Sequence, residues 1–188
     1  MKYKKILCYF SLLLVIAFLM PRWGWTQPLG EIQSKPGTKA PIIANGFAVE
    51  KGYYGTIWKM YVEAEDPDGD MVRIASVVDQ PGYGHYPTDF IYLKSQYQKH
   101  FKGYLQWNTY SSKMNYLREW TQITLKVSIL DKAGNESNVV VFPFTFVSGA
   151  QAQVKPPAPF DQGDLPKIGN IFIDLYEPTM MGSGARDD

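Results

Sequence analysis

Between about residues 40 and 148 the chain runs in short stretches where apolar and polar residues alternate, separated by turn-forming residues. That period of two belongs to antiparallel strands with one face buried. In TIWKMYVEAE (56–65), Trp58, Met60, Val62 and Ala64 share one face, and Lys59, Tyr61, Glu63 and Glu65 share the other. In TQITLKVSIL (121–130), Ile123, Leu125, Val127 and Ile129 alternate with Gln122, Thr124, Lys126 and Ser128, the cleanest alternation in the chain. MVRIASVV (71–78) and FKGYLQWNT (101–109) follow less strictly, with Leu105 and Trp107 inward in the second. NVVVFPFTF (138–146) is apolar on both faces, and Pro143 has no N–H to donate, so this strand is expected at an edge or a bulge.

One stretch breaks the pattern. PTDFIYLKSQYQKHFKG (87–103) has an N-cap candidate in Thr88, apolar residues at Phe90, Leu93, Tyr97 and Phe101, and Gly103 as a stop, which predicts a short inserted helix. Its aromatics and Ile91 also suit a strand, and the spacing does not separate the two. The flanks differ in composition. Residues 27–39 are polar, with Pro and Gly, and predict a linker; 149–166 form a Pro-rich polar linker. After it, 167–178 returns to alternation, with Ile171, Ile173 and Leu175 set against Phe172, Asp174 and Tyr176; 179–188 is expected to be a disordered end. An isolated strand is not stable, so that segment is expected to dock. A partner's sheet edge is preferred over the chain's own because Pro143 makes a poor acceptor edge. Ile171, Ile173 and Leu175 are then partner-binding residues.

Two turns join strand pairs. Asp66-Pro67-Asp68-Gly69-Asp70 pre-sets φ at the proline and frees it at the glycine, and Asp131-Lys132-Ala133-Gly134-Asn135 has the same means. With these turns the chain resembles bacterial immunoglobulin-like and cadherin-like sandwich domains over residues 40–148. Ala64–Asp70 matches the hairpin after the second strand, and Asp131–Ser137 the last hairpin. The resemblance implies an all-β fold, an immunoglobulin-like antiparallel β-sandwich of about seven strands, into which the helix at 87–103 would be inserted. It implies no one function, because this architecture hosts adhesins, enzyme appendages, receptors and spacers.

The N-terminus, Met-Lys-Tyr-Lys-Lys followed by a largely apolar run up to Pro21, reads as an export signal over residues 1–26. A helix of that run covers about 22 Å, short of the roughly 30 Å hydrocarbon core, so cleavage is preferred over an uncleaved anchor. In the anchored case Trp23 and Trp25 suit the interface, and the membrane is a partner only in that case. The expected location is periplasmic, cell-surface or secreted. Cys8, the sole cysteine, lies in the signal, which leaves a mature chain without disulfides or a thiol nucleophile.

Charge and chemistry narrow the function classes. With 19 basic and 18 acidic residues the chain offers nucleic acid no net attraction. Asp66, Asp68 and Asp70 supply hard oxygens suited to calcium, and cadherin-like relatives bind calcium through acidic loops; Val77 stands where an EF-hand's closing Glu would be, which excludes that motif. A turn in which these aspartates cap and solvate is preferred over a weak calcium site, and no other cofactor is expected. His85 and His100 have no spacing to a nucleophile or a metal set, and neither a phosphate loop nor a G-x-S-x-G elbow occurs, so catalysis is not expected. The expected role is a non-catalytic module for protein interaction or structural support at the bacterial envelope, with an envelope or surface protein as partner. The alternative is a carbohydrate-binding module stacking sugars on Tyr61, Tyr83, Tyr86 and Tyr104, against which stands the ordinary use of tyrosines to cover strand surfaces.

Overall fold

The computed structural model describes residues 37–112, 121–149 and 154–176. All belong to the unit Ile32–Asp188. The expected signal or anchor, most of the 27–39 linker and the 179–188 end lie outside the described residues. Among the described residues no helix is long and apolar enough to cross a membrane.

The two strongest alternations form the centres of two sheets. Strand β3 (Ile57–Glu65) buries Trp58, Met60, Val62 and Ala64, and β8 (Gln122–Asp131) buries Ile123, Leu125, Val127 and Ile129. Around them lie β1 (Ile42–Ala48), β2 (Lys51–Gly52), β4 (Met71–Gln80), β5 (Gly84–His85), β6 (Asp89–Tyr92), β7 (His100–Asn108), β9 (Val140–Phe146) and β10 (Lys167–Ile171). One sheet has the order β1-β3-β7-β10; the other runs β2-β9-β8-β4, with both β5 and β6 on the far edge of β4. The pairs are antiparallel except β2 with β9 and β10 with β7. The orders β1-β3-β7 and β9-β8-β4-β5 are the A-B-E and G-F-C-C′ orders of an immunoglobulin sandwich. The fold is therefore all-β and immunoglobulin-like, with more strands than the expected seven because several are very short.

Between the sheets, the Trp58 ring lies 4.5 Å from Phe144 and 6.1 Å from Trp107, centroid to centroid. Both indole N–H groups are satisfied, Trp58 Nε1 donating to the Val49 carbonyl at 2.8 Å and Trp107 Nε1 to that of Ile173 at 3.0 Å. Pro143 sits as its chemistry requires. Phe146 N–H points to Thr121 on the β8 side and Thr145 N–H points away to Glu50, so the nitrogen of Pro143 faces the same side as that of Thr145. There β2 reaches only Thr145 and Phe146, and no ladder bond is lost.

The helix expected over 87–103 does not form. Asp89–Tyr92 pairs with β4 through Ser76↔Asp89 to Arg73↔Tyr92, Ser95–Tyr97 makes one 3₁₀ turn, and β7 begins at His100. Of the residues that suggested one helical stripe, Phe90 lies in β6, Tyr97 in the 3₁₀ turn and Phe101 in β7, with Leu93 just past β6. Ile91, Leu93 and Phe101 turn inward, whereas Phe90 faces out under the Arg73 guanidinium at 4.4 Å. Gly103, read as a helix stop, lies inside β7 because β10 arrives against it: a Cβ there would stand 2.5 Å from the Pro166 carbonyl oxygen. Long-range pairing outweighs a local period that short apolar runs carry ambiguously.

The second correction concerns the C-terminal segment, which docks on its own domain and not on a partner. β10 pairs in parallel with β7 (Gly169↔Leu105, Asn170↔Gln106, Ile171↔Trp107), filling the place next to E where strand D of an immunoglobulin sandwich would lie. Ile171, Ile173 and Leu175, expected to meet a partner, are buried among the core residues of both sheets. The Pro143 edge did not need to receive this strand, because β7 had an unpaired edge of its own. Beyond β10 the main chain is held by side chains. Ser111 donates to the Leu175 carbonyl at 2.7 Å, Gln80 Nε2 to that of Tyr176 at 3.2 Å, and the Phe172 N–H donates to Asp89 at 2.8 Å. The sandwich therefore extends to residue 176, past the boundary expected at 148. Truncating the fully buried Leu175 to Ala should cost about 2–5 kcal/mol in denaturant unfolding, as for other core leucines; a loss below about 1 kcal/mol would show that the segment does not fill the core.

Candidate functional site

The two aspartate turns, 65 residues apart in sequence, are brought side by side at one end of the sandwich because β4 and β8 pair from Met71↔Asp131 onward. In the first turn the buried Asp66 carboxylate accepts the N–H groups of Asp68 (2.9 Å) and Asp70 (3.1 Å), and Gly69 takes φ of +74°. This is an Asx-type turn, and a left-handed glycine closes it. In the second, Asp131 accepts the Asn135 N–H at 2.8 Å and its side-chain amide at 2.6 Å. Lys132 N–H donates to the Asp70 carbonyl at 3.1 Å, which joins the turns.

Carboxylate oxygens of Asp66, Asp70 and Asp131 all lie within 4.8 Å of one another. The structure thus changes the expected trio: Asp68 is exposed and accepts the Lys39 N–H at 2.6 Å, and Asp131 takes its place. Asp131 was missed because its turn was read separately, although the Asp that opens it was in plain view. Asp70 Oδ1 is buried and has no hydrogen-bond partner among the described residues. Burial above all, then the approach of Asp66 and the charges of Asp131, Asp66 and Asp68, raises the pKa of Asp70 above the ordinary carboxylate value. Such a group can be relieved by a proton or by a cation; calcium would require further oxygens, since it takes six to eight.

The four tyrosines named from the sequence fall into two separate places. Tyr61 and Tyr104 are cross-strand partners on the outer face of β3 and β7, with centroids 5.9 Å apart. Phe160, the buried aromatic of the Pro-rich segment, lies 5.7 Å from Tyr61, and the Lys59 ammonium stands 4.6 Å from the Tyr104 centroid. Together with Lys155, Pro156, Asp161, Gly163, Asp164 and Leu165 they line a cleft of about 360 Å³. The Pro-rich segment was read as an open linker; its one aromatic, Phe160, was the sign that it lies on the sheet.

Tyr83 and Tyr86 do something else. Tyr86 is buried and not loop-exposed as expected: its hydroxyl donates to Gln80 Oε1 at 2.6 Å and accepts the Tyr176 N–H at 2.7 Å, and burial pushes its pKa up to about 12. Tyr83 stacks on Tyr86 (4.4 Å) and Tyr176 (5.2 Å). These two rings hold the C-terminal segment. The histidines belong to different sheets: His85 meets Asp79, which also takes Lys126 Nζ at 2.5 Å, and His100 lies 3.8 Å from Glu63. The Lys126 hydrogen bond lowers the Asp79 pKa. Burial opposes ionisation of Glu63, but hydrogen bonds from Lys102 (3.0 Å) and Asn45 (2.8 Å) outweigh it and lower its pKa.

No protein-family model matches the chain, and no curated protein matches it. Among solved structures it is similar to the PKD domain of an M14-like peptidase from Thermoplasmatales archaeon SCGC AB-540-F20, at 14% identity over 59% of this chain and 99% of that one, with a TM-score of 0.39. At that score the likeness carries no argument about site or function, and the assignment of the fold class stands on strand order.

The raised Asp70 pKa has a definite sign. A carboxyl that holds its proton more tightly when folded makes the fold more stable below its folded-state pKa, and this contribution is lost as pH rises through that value. In metal-free buffer Asp70→Asn should therefore melt higher than the native protein at pH 7, with the difference closing near pH 3. A lower melting temperature at pH 7 would mean that the ionised carboxylate is a stabilising partner.

Proposed function

We propose that this protein is a non-catalytic, exported β-sandwich that serves protein interaction or structural support at the cell envelope. One observation carries the reading: apart from Asp70 and Ser76, each with one buried oxygen unpartnered among the described residues, the buried polar side chains best suited to chemistry are engaged in holding the fold. Asp66 and Asp131 cap the two turns, while Gln80, Tyr86 and Ser111 bind the main chain of the C-terminal segment. His85 and His100 do not converge with a nucleophile among the described residues, and each faces a carboxylate at the surface. The basic-then-apolar N-terminus supports export. An interaction module takes its role from the protein on which it docks, and its affinity resides in its surface.

The full chain, tagged at its C-terminus and expressed in a bacterium with a cell envelope, should fractionate with periplasm or surface. There, chemical cross-linking followed by purification should recover a discrete envelope protein. Retention in the cytosol, or cross-linking that captures nothing above a tag-only control, would contradict the reading.

A further inference from the structure

We infer that the cleft over Tyr61 and Tyr104 is a binding site for a short neutral saccharide. Its base is built from regular structure. Tyr61 and Tyr104 are fixed opposite one another by the β3–β7 register, and Phe160 adds a third ring from the overlying segment. The ionisable groups around them are Lys59, Lys155, Asp161 and Asp164, all exposed; among the described residues no ion pair engages any of them. That combination selects a ligand class. Two ammonium groups against two carboxylates leave no net charge to attract phosphate, nucleic acid or a polybasic chain. A lining that mixes rings with charged donors and acceptors is too polar for a lipid tail. A sugar matches both parts, since its C–H faces pack on aromatic rings while its hydroxyls bond carboxylates and ammonium groups.

The size limits the ligand further. A recess of about 360 Å³ admits about one or two pyranose rings, at the lower end of ordinary ligand pockets. Lys59 now stands over the face of Tyr104. Because its side chain is exposed, a sugar ring can take that face while Lys59 swings to its edge and donates to a hydroxyl. Tyr83 and Tyr86 take no part, being stacked with Tyr176 and outside the lining of the cleft.

The inference goes beyond the interaction reading and does not depend on it: the cleft can fail to bind sugar while the cross-linked envelope protein remains. The full chain would be titrated with cellotriose, with tri-N-acetylglucosamine and with a neutral proline-rich decapeptide, following the tyrosine ring resonances by NMR. Expected is saturable binding of at least one trisaccharide, with shifts at Tyr61 and Tyr104, little dependence on salt, and an affinity about tenfold lower in Tyr104→Ala, the loss of one aromatic contact. Asp164→Asn, an exposed change that should fold normally, should also weaken binding, whereas Tyr83→Ala should not. No saturable shift with either sugar at millimolar concentration would overturn the inference. So would binding of the peptide in place of the sugars, or binding that both Tyr104→Ala and Asp164→Asn leave intact.

Discussion

The edge of β7 is the constraint from which much of this structure follows. An immunoglobulin-type sandwich normally covers that edge with an antiparallel strand D, delivered directly from the chain between C and E. Here that stretch of chain is used elsewhere: Asp89–Tyr92 stays on β4 and the chain reaches β7 after a single 3₁₀ turn. Left alone, β7 would present unpaired backbone groups and the core would be open beside Leu105 and Trp107. The C-terminal segment supplies both the missing strand and three side chains, Ile171, Ile173 and Leu175, that complete the core.

Several otherwise separate features have this one cause. A strand arriving from the other end of the chain can come in parallel, which needs a long connection and not a hairpin; the Pro-rich segment is that connection, and Phe160 secures it over Tyr61. Gly103 and Gly169 are needed because the incoming chain is close: a Cβ on Gly169 would stand 2.3 Å from Ile91. Trp107, Ser111, Gln80 and Tyr86 bind main-chain atoms because the segment past β10 has left the ladder, and its buried N–H and C=O groups still require partners. The cleft over Tyr61 and Tyr104 is a by-product of the same crossing, formed where the connecting segment passes over the outer face of the sheet.

Much of the sandwich was legible in the sequence, and the reasons are local. The alternation in β3 and β8 records a half-buried strand directly, and the two aspartate–glycine turns record where strands reverse. The alternation at Ile171, Ile173 and Leu175 was equally plain, but a period of two says that a strand is half buried and not against what. The helix over 87–103 was misread because Phe90, Leu93, Tyr97 and Phe101 fit a 3.6-residue period by chance, while the pairing that decides the matter comes from β4. The acidic site was half visible. Asp66 and Asp70 follow from one turn, yet Asp131 joins them only through the β4–β8 register, a long-range fact that neither motif contains alone.

If the C-terminal segment is a structural strand of this sandwich, it must open with the rest of the domain and not before it. Native-state hydrogen exchange on the full chain measures this residue by residue. The account predicts that the hydrogen-bonded amides of β10, and that of Tyr176 bound to the Tyr86 hydroxyl, exchange as slowly as those of Leu105 and Leu125. Fast exchange at those β10 and Tyr176 amides, with β3 and β8 still protected, would contradict it.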